Sequence, residues 1–144
     1  MIKKPEILAP VGGNEQLRAA VICGADAVYF GMGNFNARRN AENFADEGLK
    51  DTIRYCHQSG VKVYITINTI IKDSELSEAY RAVDTAALAG ADAVIIQDFA
   101  IASYVRKFWP DLKMHASTQM AVHNSEGVQK LVEYGFSRVV LARE

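Results

Sequence analysis

The residues best equipped for chemistry fall in one short run, His115, Ser117, Thr118 and Gln119, inside the stretch 113–124. A histidine can move a proton, a hydroxyl can attack or hydrogen-bond, and an amide can both donate and accept. The run opens like a strand, so alternation places His115, Ser117 and Gln119 on one face and Met114, Ala116 and Thr118 on the other. A strand inside a parallel sheet is expected to be apolar almost throughout. Polar groups buried there without partners cost about 1–3 kcal/mol each, so they must bond to protein, water or a substrate. Same-face neighbours two residues apart lie roughly 6–7 Å from each other, which argues against Ser117 as a nucleophile with His115 as its base.

The elements that must carry these residues announce themselves by repetition. Cys23-Gly24-Ala25-Asp26-Ala27-Val28-Tyr29-Phe30 returns as Ala89-Gly90-Ala91-Asp92-Ala93-Val94-Ile95-Ile96, with weaker copies at 59–65 and 134–141. Glycine suits the left-handed end of a helix, and the apolar run that follows suits a buried strand. The pattern predicts strands over 6–9, 27–30, 62–68, 93–97, 114–117 and 138–142. It predicts helices over 14–23, 46–58, 74–88, 99–108 and 125–134, with Asn14, Asp46, Ser74 and Asn124 as N-caps. In the third helix Leu76, Ala79, Tyr80, Val83 and Ala87 form the expected core stripe.

Strict alternation of about six strands and five helices implies an α/β fold of repeated βα units on a parallel sheet. Strand 62–68 puts Val63, Ile65 and Ile67 on one face and Tyr64, Thr66 and Asn68 on the other. The first face suits a helix layer and the second a barrel interior, so the expectation is a partial TIM-barrel-like (βα)8 fold. Because a whole barrel needs about 200–250 residues, residues 1–144 read as an incomplete domain, the N-terminal portion of a longer protein. An open half-barrel edge would favour a homodimer of the fragment.

Ligands of parallel α/β folds bind beyond the carboxyl ends of the strands. Those ends offer Gly12-Gly13-Asn14, the long loop 31–44, Asn68, Gln97-Asp98, the His115 to Gln119 run, and Arg143 with Glu144. His115, Asp98 and Asn68 are the candidates for catalysis. Arg38, Asn43, Ser117, Gln119, Arg143 and Glu144 are the candidates for substrate binding, the arginines toward a phosphate or carboxylate. Gly31-Met32-Gly33 is half a dinucleotide fingerprint, with Asn36 where its third glycine belongs. His57, near a helix end, suits the helix dipole, and no set of metal-ligand spacings is present.

The totals exclude several classes. The 144 residues are 49% apolar and 23% charged with a net charge of −1, which offers no bulk attraction to nucleic acid and leaves only a local basic patch open. No apolar run reaches membrane-span length. Cys23 and Cys56 fit no disulfide framework, and a reducing cytoplasm is the expected setting.

Taken in order, Glu6-Ile7-Leu8-Ala9-Pro10, Gly24-Ala25-Asp26-Ala27-Val28-Tyr29, Phe35-Asn36-Ala37-Arg38, Asn68-Thr69, Asp92 to Asp98, His115-Ala116-Ser117-Thr118-Gln119 and Arg138 to Glu144 resemble the N-terminal part of the peptidase U32 family, the collagenase-like proteases. Within it the chain looks most like the branch that hydroxylates a cytidine of 23S ribosomal RNA. The resemblance implies a TIM-barrel-like domain and hydroxylation of an rRNA cytidine or a tRNA uridine, with prephenate as the small anionic co-substrate. It further implies an iron–sulfur cluster in the full-length protein, held by cysteines that lie after this region; no cofactor is expected within these residues. The alternatives are a protease, as the family name states, and a non-catalytic interaction module. No nucleophile elbow, zinc-binding helix motif or paired aspartates support the protease.

Overall fold

The computed structural model describes residues 4–37 and 48–143. Each βα unit forms where an apolar, partly β-branched run gives way to a helix with one apolar stripe. The strands are β1 (Leu8–Pro10), β2 (Ala27–Gly31), β3 (Lys62–Ile67), β4 (Ala93–Ile96), β5 (Lys113–Ala116) and β6 (Arg138–Val139). The helices are α1 (Asn14–Ile22), α2 (Leu49–Gln58), α3 (Leu76–Ala89), α4 (Phe99–Phe108) and α5 (Ser125–Glu133). The six strands lie in chain order in one sheet, and every neighbouring pair is parallel. The sheet curls into half a barrel, as the alternation predicts.

Two apolar clusters divide its faces. The larger joins Val28, Val63, Ile65, Ile67, Val94 and Ile96 to the helices through Leu17, Ile53, Val83, Ile101 and Leu131. The smaller lies in the bore, where Ala27, Tyr64, Ala93 and Ile95 pack with Leu8 and Tyr29. This is the two-faced β3 of the sequence. The α3 stripe differs at one place: Ala86, not Ala87, is buried beside Ala79 and Val83.

The recurring Gly-Ala-Asp has a structural use. Asp26 accepts the Ile7 amide at 2.8 Å through its carboxylate while its own amide donates to the Ile7 carbonyl at 2.9 Å. Asp92 repeats this on Val63, at 2.8 and 2.9 Å, and also meets His57 Nε2 at 2.8 Å. Each aspartate therefore fixes the register of the strand before it. Gly90 supplies the left-handed turn that ends α3 (φ 93°).

The helix starts only partly follow expectation. Asn124 caps α5 by accepting the Gly127 amide. Asn14 is instead the first residue of α1, after an extended Gly13. Ser74 lies in a short 3-10 turn, Asp73–Glu75, whose Glu75 carboxylate accepts the Lys72 amide at 2.9 Å. Asp46 lies outside the described residues, and α2 begins after Gly48, which has φ 98°. Among the described residues, no helix is long and apolar enough to cross a membrane.

Candidate functional site at the carboxyl ends of the strands

All six strands, or the residues just beyond them, line a cavity of about 330 Å³ at their carboxyl ends. Its apolar wall comes from Leu8, Val11, Phe30, Ile95 and Val140, with Tyr29 beside them. The polar side chains lining it are Asn36, Thr66, Asn68, Ser117, Thr118 and Gln119, together with the Tyr29 phenol. None of these side chains is a carboxylate, an amine, a guanidinium or an imidazole. A largely apolar hollow with a few placed hydrogen-bonding groups is the usual form of a small-molecule site.

Strand β5 delivers the rim by stopping early. It ends at Ala116, and Ser117 caps a 3-10 turn, Thr118–Met120, by accepting the Gln119 amide at 3.3 Å. Gln119 therefore does not continue the pleated face of His115 and Ser117. The turn folds it back until its Oε1 accepts the Ser117 hydroxyl at 3.4 Å. Asn68 Nδ2 donates to the same hydroxyl oxygen at 3.4 Å. Ser117 Oγ thus donates once and accepts twice, which is its full capacity. It makes no hydrogen bond to His115, as the strand spacing anticipates. The turn closes on Ala121, whose φ of 55° is the one positive value outside glycine among the described residues.

The segment 35–37, after β2, supplies another wall through Asn36 and Ala37. Asn36 is 1% exposed and lies against Gly31, where a Cβ would run into the Asn36 side chain. Ala37 donates its amide to Asn68 Oδ1 at 3.0 Å, and Asn68 donates its own amide to the Phe35 carbonyl at 2.9 Å.

Below the cavity, toward the amino ends of the strands, the bore holds an ionic cluster. Arg138 Nη1 donates to Glu6 Oε1 at 2.7 Å, Tyr64 O–H donates to the same oxygen at 3.1 Å, and Lys62 Nζ stands 3.6 Å from Glu6 Oε2. The Arg138 hydrogen bond is the largest influence holding the Glu6 carboxyl down to about 2. Burial, then the bond to Glu6, pushes the Tyr64 phenol up. The His115 imidazole lies edge-on to Tyr64 with ring centroids 4.6 Å apart. Burial, seconded by the Arg138 charge, drives its pKa down to about 4, so it is neutral at physiological pH. Its Nδ1 is the buried side-chain atom without a hydrogen-bond partner among the described residues.

The candidates thus separate. Asn68, Ser117 and Gln119 meet at the cavity. His115 is buried on the same bore face but does not line the cavity. Asp98 caps α4, its Oδ1 accepting the Ala100 amide at 2.7 Å. Arg143 is exposed, and Arg38, Asn43 and Glu144 lie outside the described residues. Sequence reasoning missed the Glu6–Arg138–Tyr64 cluster. Its signal was charge at the starts of strands, on residues of bore-facing parity. The described residues do not fit an iron–sulfur cluster: Cys23 is exposed, Cys56 is buried with its thiol pushed up to about 11 by desolvation, and no group of three metal-ligating side chains occurs among them.

The family model for peptidase family U32 matches residues 12–144. The chain belongs to that family. Among U32-related sequences it is 38% identical over 145 residues to a tRNA hydroxylation protein P1 of Bacillus subtilis, covering 99% of this chain and 34% of the relative. A 23S rRNA 5-hydroxycytidine synthase of Escherichia coli is 37% identical over 139 residues, covering 96% and 21%. A collagenase of Porphyromonas gingivalis is 39% identical over 140 residues, covering 96% and 33%. The chain therefore spans about a third or less of the length of these curated relatives. A solved U32 peptidase superposes with a TM-score of 0.76 at 14% identity, over 98% of this chain and 61% of that one. A putative copper homeostasis protein of Streptococcus agalactiae gives 0.72 at 16%, over 94% and 71%. At such identities the likeness is one of fold, and it agrees with the half-barrel.

Proposed function

We propose that this U32 chain is the substrate-positioning part of an enzyme that hydroxylates an RNA base, an rRNA cytidine or a tRNA uridine, and that the cavity receives the base. The observation that carries the reading is the uncharged lining: amides and hydroxyls from Asn36, Thr66, Asn68, Ser117, Thr118 and Gln119 around an apolar wall. A base taken out of a stack offers a flat apolar surface and an edge of neutral donors and acceptors, and such a lining complements both. The names of the Bacillus and Escherichia relatives point the same way.

A carboxylate co-substrate such as prephenate would need cations, for which Arg38 and Arg143 are the candidates. Asn68 and Gln119 would orient the base, and the neutral His115 beneath them would keep the bore uncharged at that depth. Redox chemistry is not assigned to the described residues, which do not fit a cluster.

The peptidase reading, prompted by the collagenase relative, finds no nucleophile–base pair among the described hydrogen bonds. The test is to compare hydroxylated nucleosides in total rRNA and tRNA from a deletion strain and its parent, with the full-length gene restored. Loss of one hydroxypyrimidine in the deletion strain supports the proposal. Unchanged RNA together with gelatin cleavage by the purified full-length protein would replace it with the peptidase, and unchanged RNA without cleavage favours an interaction module.

A further inference from the structure

Asn68 follows β3 between the two polar walls of the cavity and uses its backbone amide and both polar atoms of its side chain there. Its amide holds the Phe35 carbonyl at 2.9 Å, its Oδ1 receives the Ala37 amide at 3.0 Å, and its Nδ2 reaches Ser117 Oγ at 3.4 Å. Ser117 in turn holds the Gln119 amide at 3.3 Å. One side chain thereby joins the segment 35–37, which follows β2, to the turn that follows β5. In sequence these walls are separated by most of the chain, and β3 is not a neighbour of β5 in the sheet.

The two ends of the bracket are unequal. The backbone and Ala37 contacts are of ordinary length, whereas every bond to Ser117 Oγ is 3.3–3.4 Å. Long hydrogen bonds are weak ones, and such bonds at a site can tighten once a ligand is bound. We infer that Asn68 is a positioning residue that couples the segment 35–37 to the Ser117–Gln119 turn, so that the two walls move as one when the cavity is filled. For its functional consequence this rests on the cavity being the ligand site; the coupling itself can be measured without ligand.

The experiment is amide hydrogen exchange on this chain, comparing wild type with Asn68→Ala, Asn68→Asp, Ser117→Ala and the double variant Asn68→Ala/Ser117→Ala. Asn68→Ala should speed exchange of the Ala37 and Gln119 amides about tenfold or more while β3 amides such as Ile65 keep their protection. Asn68→Asp keeps an acceptor for Ala37 and should restore protection there. Ser117→Ala should also speed Ala37, which Ser117 does not touch, and adding it to Asn68→Ala should add nothing further. Ala37 exchange unchanged in Ser117→Ala would overturn the coupling, and so would acceleration spread evenly over β3. Because exchange needs no substrate, this result and the RNA comparison can fail independently.

Discussion

Glu6 and Arg138 are 132 residues apart in sequence, yet their side chains meet at 2.7 Å across the bore. Glu6 precedes the first strand and Arg138 opens the last, so the pair joins the two margins of the curled sheet. The same Glu6 oxygen also accepts the Tyr64 phenol from the middle of the sheet. The contact thus fixes curvature, a property that ladder hydrogen bonds between neighbouring strands leave loose. Glu6→Gln should lower stability by about 1–2 kcal/mol, a modest figure because both groups are partly open to solvent. Urea unfolding of Glu6→Gln, Arg138→Met and the double variant measures it. A double variant whose loss equals the sum of the singles would show that the pair contributes no coupling.

His115 gives the fold an acid sensitivity whose sign follows from its burial. In the folded chain its pKa is near 4, against 6.5 for the free side chain; burial and the charges of Arg138, Lys113 and Lys62 oppose protonation, and Glu6 alone favours it. Between those values the unfolded chain binds a proton that the folded chain refuses, so stability falls as pH drops from 6.5 toward 4. The loss is at most roughly 3 kcal/mol, since each tenfold difference in proton affinity between the two states is worth about 1.4 kcal/mol. Glu6, with its pKa held near 2 against 4.5, removes further stability as pH falls through that lower window. His115→Gln should flatten the upper window and leave the lower. An unfolding free energy in wild type that stays level from pH 6.5 to 4 would show that the buried imidazole takes up its proton as readily as the free one.

Much of the fold was legible because it rests on period and punctuation. The apolar runs gave six strands, and the glycines before them marked helix ends. β3 showed both faces of the sheet, since Val63, Ile65 and Ile67 are apolar while Tyr64, Thr66 and Asn68 are not. The site was harder to read. Ser117 looked like the next position of a strand, and only the 3-10 turn, closed by Ala121 in the left-handed region, shows why Gln119 returns to it. Asp98 follows β4 at the carboxyl ends of the strands, as expected, and its carboxylate also caps α4; the residue type alone does not show the second role. The Glu6–Arg138 contact depends on curvature, which no local window of sequence encodes.

Gly31→Ala tests how Asn36 is seated after β2. The added methyl would occupy the space of the Asn36 side chain, which is buried and has little room to yield. Overpacking of this kind costs typically about 1–3 kcal/mol. Asn36 should be displaced, and the Asn36 side-chain amide signals in an NMR spectrum should shift by more than those of Gln119. Unchanged stability with unmoved Asn36 signals would mean that the wall is softer than its packing indicates.

Ala121→Gly should act in the opposite direction. Ala121 has φ 55°, and the left-handed region costs a residue with a Cβ about 1–2 kcal/mol. Glycine removes that strain but brings more unfolded-state entropy, so the net gain should be about 0.5–1 kcal/mol. A rise in thermal midpoint would show that strain is stored beside Ser117 and Gln119. A fall would show that the Ala121 methyl makes contacts that outweigh it.

Ser117→Ala separates the roles open to this serine. Its hydroxyl accepts from Asn68 Nδ2 and the Gln119 amide and donates to Gln119 Oε1. No hydrogen bond links it to His115, whose imidazole meets Tyr64 instead. A serine that attacked substrate would need a base to take its proton, and losing it would cost on the order of a millionfold in rate. A serine that only positions Asn68 and Gln119 forfeits the geometry of the rim, for which about a tenfold loss is expected, with weaker substrate binding contributing more than slower turnover. Steady-state rates of the full-length protein and its Ser117→Ala variant, on RNA for the proposed hydroxylation and on gelatin for a peptidase, decide the matter. A drop of five or more orders of magnitude would restore the nucleophile, while a small drop leaves Ser117 as the link between the two walls of the cavity.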